Sequence, residues 1–178
     1  MVNFSMLKYL DVSMGKIISE IQTLNGQVSC MTQNPHNAII VTGHSNGSVS
    51  YFSPNMPDPV VKILAHPGTI SGVAVDLSGT YMVTTGHDSK MRVWDVRTYK
   101  QVYEYYNPLP AVSINISQKG LLSVGYGNKV EVWKDYAKSK QKEPYMKHSF
   151  PNNVKVNNTK FINFEDFLGV GTNLGYSQ

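Results

Sequence analysis

The sequence predicts an all-β fold of the propeller type, and two observations lead to that prediction. A segment of about 40–45 residues recurs along the chain, and each copy contains four short strand-like stretches. Turn residues such as Gly, Asn, Asp and Ser separate these stretches at short intervals, which is typical of all-β proteins. No long window shows the apolar spacing of a helix. We therefore expect about four four-stranded blades.

The repeat becomes visible when the chain is compared with itself. With His44 placed opposite Gly86, Asp88 falls on Asn46 and Trp94 falls on Phe52. A longer shift places DVRTYKQVYE on DVSMGKIISE, with Asp, Val, Lys and Glu identical. A third copy, INISQKGLLSVGYGNKVEVWKD, is shorter in its turns and keeps a tryptophan at the same place. Self-similarity at a constant spacing is the signature of a repeat architecture.

The elements of one copy follow in a constant order. An apolar triplet comes first, a second short strand follows a Gly or Asn turn, and two alternating strands complete the unit. In the best-preserved copy these strands are expected at 73–75, 81–85, 91–94 and 100–106. The predicted units are strands three and four of one blade at 5–22, blades at 24–63, 64–106 and 107–147, and the start of a further blade at 148–178.

Composition limits the class of protein. Hydrophobic residues make up 41% of the 178 residues and charged residues only 16%, which is a folded composition. Cys30 is the single cysteine, so no intrachain disulfide or cysteine metal cluster can form. No apolar run is long enough for a signal peptide or a membrane span. We expect an intracellular protein with no membrane partner.

Four residues of the 64–106 unit resemble the pattern of the WD-repeat family. The unit has Ala-His before its first strand, where that family usually has Gly-His, and it has VWD at the end of its third strand. The resemblance implies a structural tetrad of His66, Thr84, Asp88 and Trp94. The chemistry agrees, since a threonine hydroxyl can accept from a buried indole N–H and donate to an imidazole. We therefore expect these side chains to join strands rather than to catalyse a reaction.

The other copies depart from this pattern. The first has Leu24, Asn46 and Phe52 in place of the histidine, aspartate and tryptophan, so we expect no network there. The third keeps Trp133 but has Gly127 at the aspartate position and no histidine near its start. Only the 64–106 unit is expected to be complete.

Other candidate sites are set aside. The histidines have neither helical pairing nor cysteine partners, so we expect no metal site. His44 and His87 fall near one another in the repeat alignment and are interpreted as turn residues. The glycine-rich stretch GVGTNLG at 169–175 is expected to be a turn between two strands, because a phosphate-binding loop requires a following helix. No paired carboxylates or nucleophile motif is present, so we expect no catalytic residues, cofactor or small-molecule substrate.

A group of lysines stands out in the more basic half of the chain, in and beside the stretch 135–148, which we expect to be a loop between blades. One interpretation is a solvated loop, and the other is a surface that contacts RNA phosphates or an acidic partner. No RNA-binding motif accompanies these lysines, so any RNA contact would be independent of sequence. The five residues are Lys134, Lys138, Lys140, Lys142 and Lys147.

Several phrases resemble one lineage within the WD-repeat family. They include SPNMPDPVVKIL, GLLSVGYGNKVEVWKD, PYMKH and FEDFLGVG. Such phrases are similar to the BING-type nucleolar WD-repeat proteins of the small-subunit processome, the assembly that contains the U-three small nucleolar RNA. The resemblance implies part of a seven-bladed propeller and a non-catalytic scaffold in the nucleolus of the nucleus.

The same resemblance implies a role in small-subunit ribosomal RNA maturation. The expected partners are other processome proteins, pre-ribosomal RNA and small nucleolar RNA. An alternative is a generic WD-repeat adaptor that binds a peptide in another multiprotein complex. Two arrangements of the outer pieces, 5–22 and 154–171, are possible: they complete one blade of a four-bladed ring, or they belong to a larger ring.

Overall fold

A computed structural model describes residues 5–151, 153–164 and 167–177, and this part of the chain forms strands and turns with no helix. The predicted all-β fold is confirmed. The strands, in chain order, are β1 Met6–Asp11, β2 Lys16–Gln22, β3 Val28–Gln33, β4 Ile40–His44, β5 Ser48–Phe52, β6 Val61–Leu64, β7 Ile70–Val75, β8 Tyr81–Gly86, β9 Lys90–Asp95, β10 Lys100–Tyr106, β11 Ser113–Ile116, β12 Leu122–Tyr126, β13 Lys129–Trp133, β14 Met146–Ser149, β15 Val156–Phe161, β16 Leu168–Thr172 and β17 Gly175–Ser177.

These strands form small antiparallel sheets in which each strand pairs with the next one along the chain. Such meanders need only short turns, which the Gly-, Asn- and Ser-rich connections supply. Three sheets have four strands and are named here blade 1 (β3–β6), blade 2 (β7–β10) and blade 3 (β11–β14). A two-stranded sheet (β1–β2) precedes them and a three-stranded sheet (β15–β17) follows them.

The blades are arranged as in a β-propeller, with their first strands side by side. Strand β3 contacts β7, β7 contacts β11, and β11 contacts β15. Close approach on this inner side requires small residues. A Cβ added at Gly43 would lie 2.6 Å from Cys30 Sγ, and one at Gly125 would lie 2.9 Å from Val156. The inner strands therefore pack closely, whereas the outermost strands β6, β10 and β14 expose much of their surface.

The hydrophobic core lies between the blades rather than inside any one of them. One cluster joins Val41 and Tyr51 of blade 1 to Ile70 and Met82 of blade 2. A second cluster joins blade 2 to blade 3, and a third joins blade 3 to β15–β17. Each fully buried aliphatic side chain stabilises the fold by about 1.5–3 kcal/mol. Each blade is therefore held mainly by its neighbours.

Two details differ from the sequence-based expectations. Strand β14 spans Met146–Ser149 and pairs with β13, so blade 3 runs past the predicted boundary between 147 and 148. The stretch 134–145 consequently connects two strands of one blade, whereas we expected a loop between blades. The reason is that Tyr136 is buried in the core between blades 2 and 3, so this long connection packs against blade 2 before the chain enters β14. In addition, β17 adds a third strand after the predicted start of the last unit.

The glycine-rich stretch 169–175 is part of this last sheet. It covers most of β16 and the turn that leads to Gly175, the first residue of β17. The expected turn between two strands is therefore limited to residues 173 and 174, and most of the stretch is strand.

Candidate functional site

The four residues of the predicted tetrad lie in one chain of hydrogen bonds in blade 2. Trp94 Nε1 donates to Thr84 Oγ1 at 3.0 Å, and Thr84 Oγ1 lies 2.9 Å from His66 Nε2. His66 Nδ1 lies 3.0 Å from Asp88 Oδ1. The threonine has a single proton to donate to His66, so the imidazole carries its own proton on Nδ1 and donates it to Asp88. The network thus connects the loop before β7 to β8, to β9 and to the turn between them.

Local structure positions each member of this network. Thr84 pairs with Arg92 across β8 and β9, two residues before Trp94, so the hydroxyl and the indole lie on the same face. The backbone N–H of His66 donates to the carbonyl oxygen of Gly47 at 3.0 Å, in the turn between β4 and β5 of blade 1. Gly47 has a φ of 81°, and a Cβ there would lie 1.9 Å from His66 O. Only glycine therefore lets this turn approach the histidine.

Burial determines the charge state of the histidine. His66 is almost fully buried, and the loss of solvent lowers its pKa, although the hydrogen bond to Asp88 opposes this shift. A neutral imidazole fits the donor pattern described above. Beside it, Thr84 is completely buried and Trp94 is nearly so. The arrangement holds the strands of blade 2 together.

Blade 1 contains a related network that the sequence analysis missed. His44 lies at the end of strand β4 and is fully buried, so its interpretation as a turn residue is wrong. Its Nε2 atom lies 3.0 Å from Thr42 Oγ1, which matches the bond from Thr84 to His66 in blade 2. Burial also lowers the pKa of His44. The expectation that blade 1 lacks a network is therefore only partly met, because the histidine–threonine half exists.

The space around the imidazole explains why blades 1 and 2 carry their histidines at different positions of the repeat. In the repeat alignment His44 stands opposite Gly86, and Leu24 stands opposite His66. A Cβ added at Gly86 would lie 2.7 Å from His66 Nδ1, so a side chain at that position would occupy the place of the imidazole. In blade 1 the imidazole comes from the strand, and Leu24 is exposed. The repeat alignment could have indicated this, because blade 1 lacks a histidine opposite His66 but has one opposite Gly86.

Blade 3 keeps the tryptophan but lacks its acceptor. Trp133 is buried, and its Nε1 atom has no hydrogen-bond partner among the described residues. Val124 pairs with Glu131, two residues before Trp133, and therefore takes the place that Thr84 has in blade 2. Asn107 stands where His66 stands, since its backbone N–H donates to the Ser89 carbonyl oxygen in the preceding blade. Its amide is also buried without a partner among those residues.

A cross-strand charge pair changes from blade to blade at one equivalent position. In blade 2, Arg92 lies opposite Glu104, with Nε and Oε2 2.9 Å apart. In blade 3 the signs are reversed, with Glu131 opposite Lys147 and 3.5 Å between Oε1 and Nζ. The Lys90 ammonium and the Arg92 guanidinium lower the pKa of Glu104 to about 2. Glu104 is therefore an ionised carboxylate whose charge is balanced by Lys90 and Arg92.

The predicted lysines lie on or beside the connection between β13 and β14. We name residues 134–145 the lysine loop. Tyr105 of blade 2 anchors it, since the Tyr105 hydroxyl donates to the Tyr136 carbonyl oxygen at 3.0 Å and accepts from the Gln141 backbone N–H at 3.3 Å. Tyr103 adds a bond to the carbonyl oxygen of Lys138 at 3.3 Å. The loop is thus held against the neighbouring blade.

The five lysines are exposed but differ in their contacts. Lys138 lies 3.3 Å from Asp135, Lys147 pairs with Glu131, and Lys134 lies 5.9 Å from the centre of the Tyr145 ring. The two that remain, Lys140 and Lys142, have no ion pair within the described ranges. They line a groove with Tyr106, Gln141 and Trp133.

No described group of three or more His, Cys, Asp or Glu side chains could hold a metal ion. Within the same ranges no helix is long and apolar enough to cross a membrane. Burial raises the pKa of the Cys30 thiol to about 11, so this cysteine is a poor nucleophile near neutral pH.

Comparison with known proteins adds two family matches. The model of the WD domain, G-beta repeat, matches residues 18–53 and 58–95. The model of the BING4CT (NUC141) domain matches residues 144–178. The second match begins in the lysine loop and continues through β14 to β17.

Curated relatives are similar over nearly the whole chain. U3 small nucleolar RNA-associated protein 7 of Saccharomyces cerevisiae is 44% identical over 95% of this chain and 33% of its own length. WD repeat-containing protein 46 of Caenorhabditis elegans is 43% identical over 97% of this chain and 30% of its own. The human protein of the same name is 43% identical over 93% and 27%. The chain spans about a third of the length of these relatives.

A solved structure shows the same fold. The crystal structure of the mitotic checkpoint complex contains a chain that superposes with a TM-score of 0.79. The match covers 94% of this chain and 53% of the other, at 14% sequence identity. At that identity the likeness concerns the fold alone.

Proposed function

The chain belongs to the WD-repeat family, and from this premise we propose that it is a non-catalytic scaffold of the small-subunit processome. In this role it takes part in small-subunit ribosomal RNA maturation and ribosome biogenesis. It works in the nucleolus by holding processome proteins together with pre-ribosomal RNA and small nucleolar RNA. The ring to which the blades belong has seven of them.

The observation that carries this proposal is the similarity along nearly the entire chain to a yeast protein named for its association with U3 small nucleolar RNA. The match to the BING4CT domain supports the same lineage, because a generic WD-repeat adaptor would match the repeats alone. The internal organisation of the blades agrees with a scaffold. His66, Thr84 and Trp94 of the tetrad are buried, and the four side chains bond to one another.

The five lysines provide the proposed RNA or partner contact. Four of them project from the lysine loop, which is anchored to the adjacent blade, and Lys147 lies just after it in β14, so their positions are set by the propeller. Cations in fixed positions bind phosphates without selecting a base sequence. Contacts of this kind would let the scaffold hold pre-ribosomal RNA while its blade faces bind proteins.

Affinity purification of the tagged protein from its own cells tests this proposal. We expect the U3 small nucleolar RNA and small-subunit ribosomal RNA precursors to be enriched with it, as measured by quantitative reverse transcription. Depletion should cause these precursors to accumulate while large-subunit precursors remain unchanged. Stable recovery in a complex that lacks U3 RNA, with normal ribosomal RNA processing after depletion, would instead favour the adaptor function.

A further inference from the structure

A polar cleft lies where three connections of blades 2 and 3 meet. They are the turn between β7 and β8 at 76–80, the turn between β11 and β12 at 117–121, and the start of the lysine loop at 135–138. The cleft encloses about 280 Å³, which is below the range of about 300–1,000 Å³ that drug-sized ligands occupy. It therefore suits a single side chain. Its lining includes Asp76, Tyr81, Lys119, Asp135, Tyr136 and Lys138.

The Tyr136 hydroxyl has no hydrogen-bond partner among the described residues, although Tyr136 is only 3% exposed. A buried phenol hydroxyl usually has a partner, because an unpaired polar group costs free energy when it leaves water. The unpartnered Trp133 Nε1 atom is enclosed by protein, whereas the Tyr136 hydroxyl is reached from the cleft. A group that enters the cleft from outside can therefore supply the missing hydrogen bond.

The Asp76 carboxylate is the charged group that acts on this hydroxyl. Its Oδ1 atom accepts the Tyr81 backbone N–H at 2.9 Å, and its Oδ2 atom accepts the Ser78 hydroxyl. These bonds fix the carboxylate in its turn, and each oxygen keeps a further lone pair. Burial raises the pKa of Tyr136, and the charges of Asp76 and Tyr81 raise it further. The hydroxyl therefore lies in a negative field, which favours a cation beside it.

The lysines of the cleft do not reverse this sign. Lys138 Nζ lies 3.3 Å from Asp135 Oδ1, so its charge is balanced within the lysine loop. Lys119, which also lines the cleft, is engaged in an interaction with the protein. The lining thus holds two carboxylates and two ammonium groups, and an anion would meet no excess of positive charge. A cation beside Tyr136 would meet the Asp76 carboxylate.

A guanidinium group fits this place better than an ammonium group. It is planar, presents five N–H donors in a fixed arrangement and packs on aromatic rings. The acceptors that await it are the carboxylate of Asp76 and the hydroxyls of Tyr81 and Tyr136. A phosphate group would instead be placed against Asp76, so the cleft favours a basic protein segment over a nucleic acid.

We propose that this cleft binds an arginine side chain of a protein partner, with the guanidinium between Asp76 and the Tyr136 hydroxyl. The inference names one protein contact of the proposed scaffold and rests on that function only for the presence of a partner. The start of the lysine loop would then hold a basic partner, whereas the exposed lysines farther along the loop would attract an acidic one.

NMR titration of the isotope-labelled protein with the peptide acetyl-Gly-Arg-Gly-amide tests the proposal. We expect saturable shifts of the backbone amide signals of Tyr81 and Tyr136. The same peptide with citrulline in place of arginine should cause none, because citrulline keeps the shape but lacks the charge. Tyr136→Phe should weaken binding by about tenfold, since a hydrogen bond to a charged group is lost. Its thermal midpoint should stay unchanged, because the hydroxyl has no partner among the described residues.

A second variant, Asp76→Asn, should weaken binding by more than about tenfold, because it removes the charge while its side-chain oxygen still accepts the Tyr81 N–H. The matched control is Tyr99→Phe, which removes the hydroxyl of a tyrosine that packs against Tyr51 of blade 1. Equal weakening by Tyr99→Phe and Tyr136→Phe would overturn the proposal. Equal binding of the citrulline peptide, tighter binding of acetyl-Gly-Glu-Gly-amide, or no saturable shift with the arginine peptide in the millimolar range would overturn it as well.

The two proposals fail in different ways. A protein that ignores the arginine peptide removes the cleft proposal, even when U3 RNA still purifies with the chain. A protein that binds the arginine peptide through Asp76 and Tyr136 but never purifies with U3 RNA removes the processome function and leaves an arginine site.

Discussion

Blades 2 and 3 have a tryptophan at the same place in the sheet, but they differ in whether its indole N–H has a hydrogen-bond acceptor. In blade 2 the N–H donates to Thr84, and the threonine continues the chain of bonds to His66. In blade 3 the equivalent place holds Val124, and Trp133 Nε1 has no partner among the described residues. The packing of the two indoles is nevertheless similar, since both are buried against a neighbouring blade. Blade shape therefore depends on the apolar core, and the hydrogen-bond network adds stability to one blade.

Blade 1 extends the comparison. It retains the threonine and an imidazole, but the imidazole is supplied by strand β4, from His44. The same interior space can thus be filled from two positions of the chain. What is retained is the pair of bonded groups, whereas the residue that supplies the ring can change.

The largest expected effect comes from removing the shared hydroxyl in blade 2. Thr84→Val leaves Trp94 Nε1 and His66 Nε2 without their partner, so we expect the free energy of unfolding to fall by roughly 2–6 kcal/mol, at about 1–3 kcal/mol for each of these two buried groups. Urea denaturation measures this change. Thr85→Val is the control, because Thr85 is equally buried and bonds to the Ser71 hydroxyl on the inner strand. Equal losses for the two variants would show that the network adds nothing beyond ordinary burial.

A second effect follows from the two buried imidazoles. Burial lowers the pKa values of His44 and His66. Just below pH 6.5, which is about the pKa of an unperturbed histidine, the unfolded chain therefore binds protons more readily than the folded chain. The contribution of these two neutral imidazoles to the free energy of unfolding is complete above about pH 6.5, and it is lost as the pH falls through their folded-state pKa values. We expect the free energy of unfolding to decrease as pH falls from about 7 to about 5.

The double variant His44→Asn/His66→Asn should be less stable but should show a flatter dependence on pH. The readout is therefore the slope of unfolding free energy against pH, measured by denaturation at each pH. His36→Asn is the control, since His36 is exposed. A slope that stays unchanged in the double variant would assign the pH dependence to other groups.

The smallest expected effect is a gain in blade 3. Val124→Thr places a hydroxyl where blade 2 has Thr84, within the expected reach of Trp133 Nε1 and of the unpartnered Asn107 amide. We expect a stabilisation of up to about 1 kcal/mol, the usual net value of a buried hydrogen bond. Val132→Thr, at a buried position of the neighbouring strand β13, should destabilise because its hydroxyl lies outside this network. A loss of stability for Val124→Thr equal to that of Val132→Thr would contradict the proposed equivalence of the blades.

The strands, their repeat and the tetrad of blade 2 can be predicted from the sequence alone. The strands alternate in polarity and are separated by Gly, Asn, Asp and Ser, and these are local properties that the residues carry without any partner. Their recurrence at a constant spacing identifies the propeller. His66, Thr84, Asp88 and Trp94 were expected together, and they lie together because their spacing is tied to the turns of one blade.

Only the tertiary structure decided the rest, because it depends on contacts between different blades. The ring of His44 is buried by the packing of its blade, and the residues next to it in the sequence do not indicate that. The lysine loop lies against blade 2 since Tyr105 bonds to residues more than 30 positions away. The cleft beside Tyr136 combines residues of two blades, so its shape is set by how those blades stack. Local chemistry therefore determines the strands and their order, whereas packing across blades determines which side chains are buried and which are free to bind.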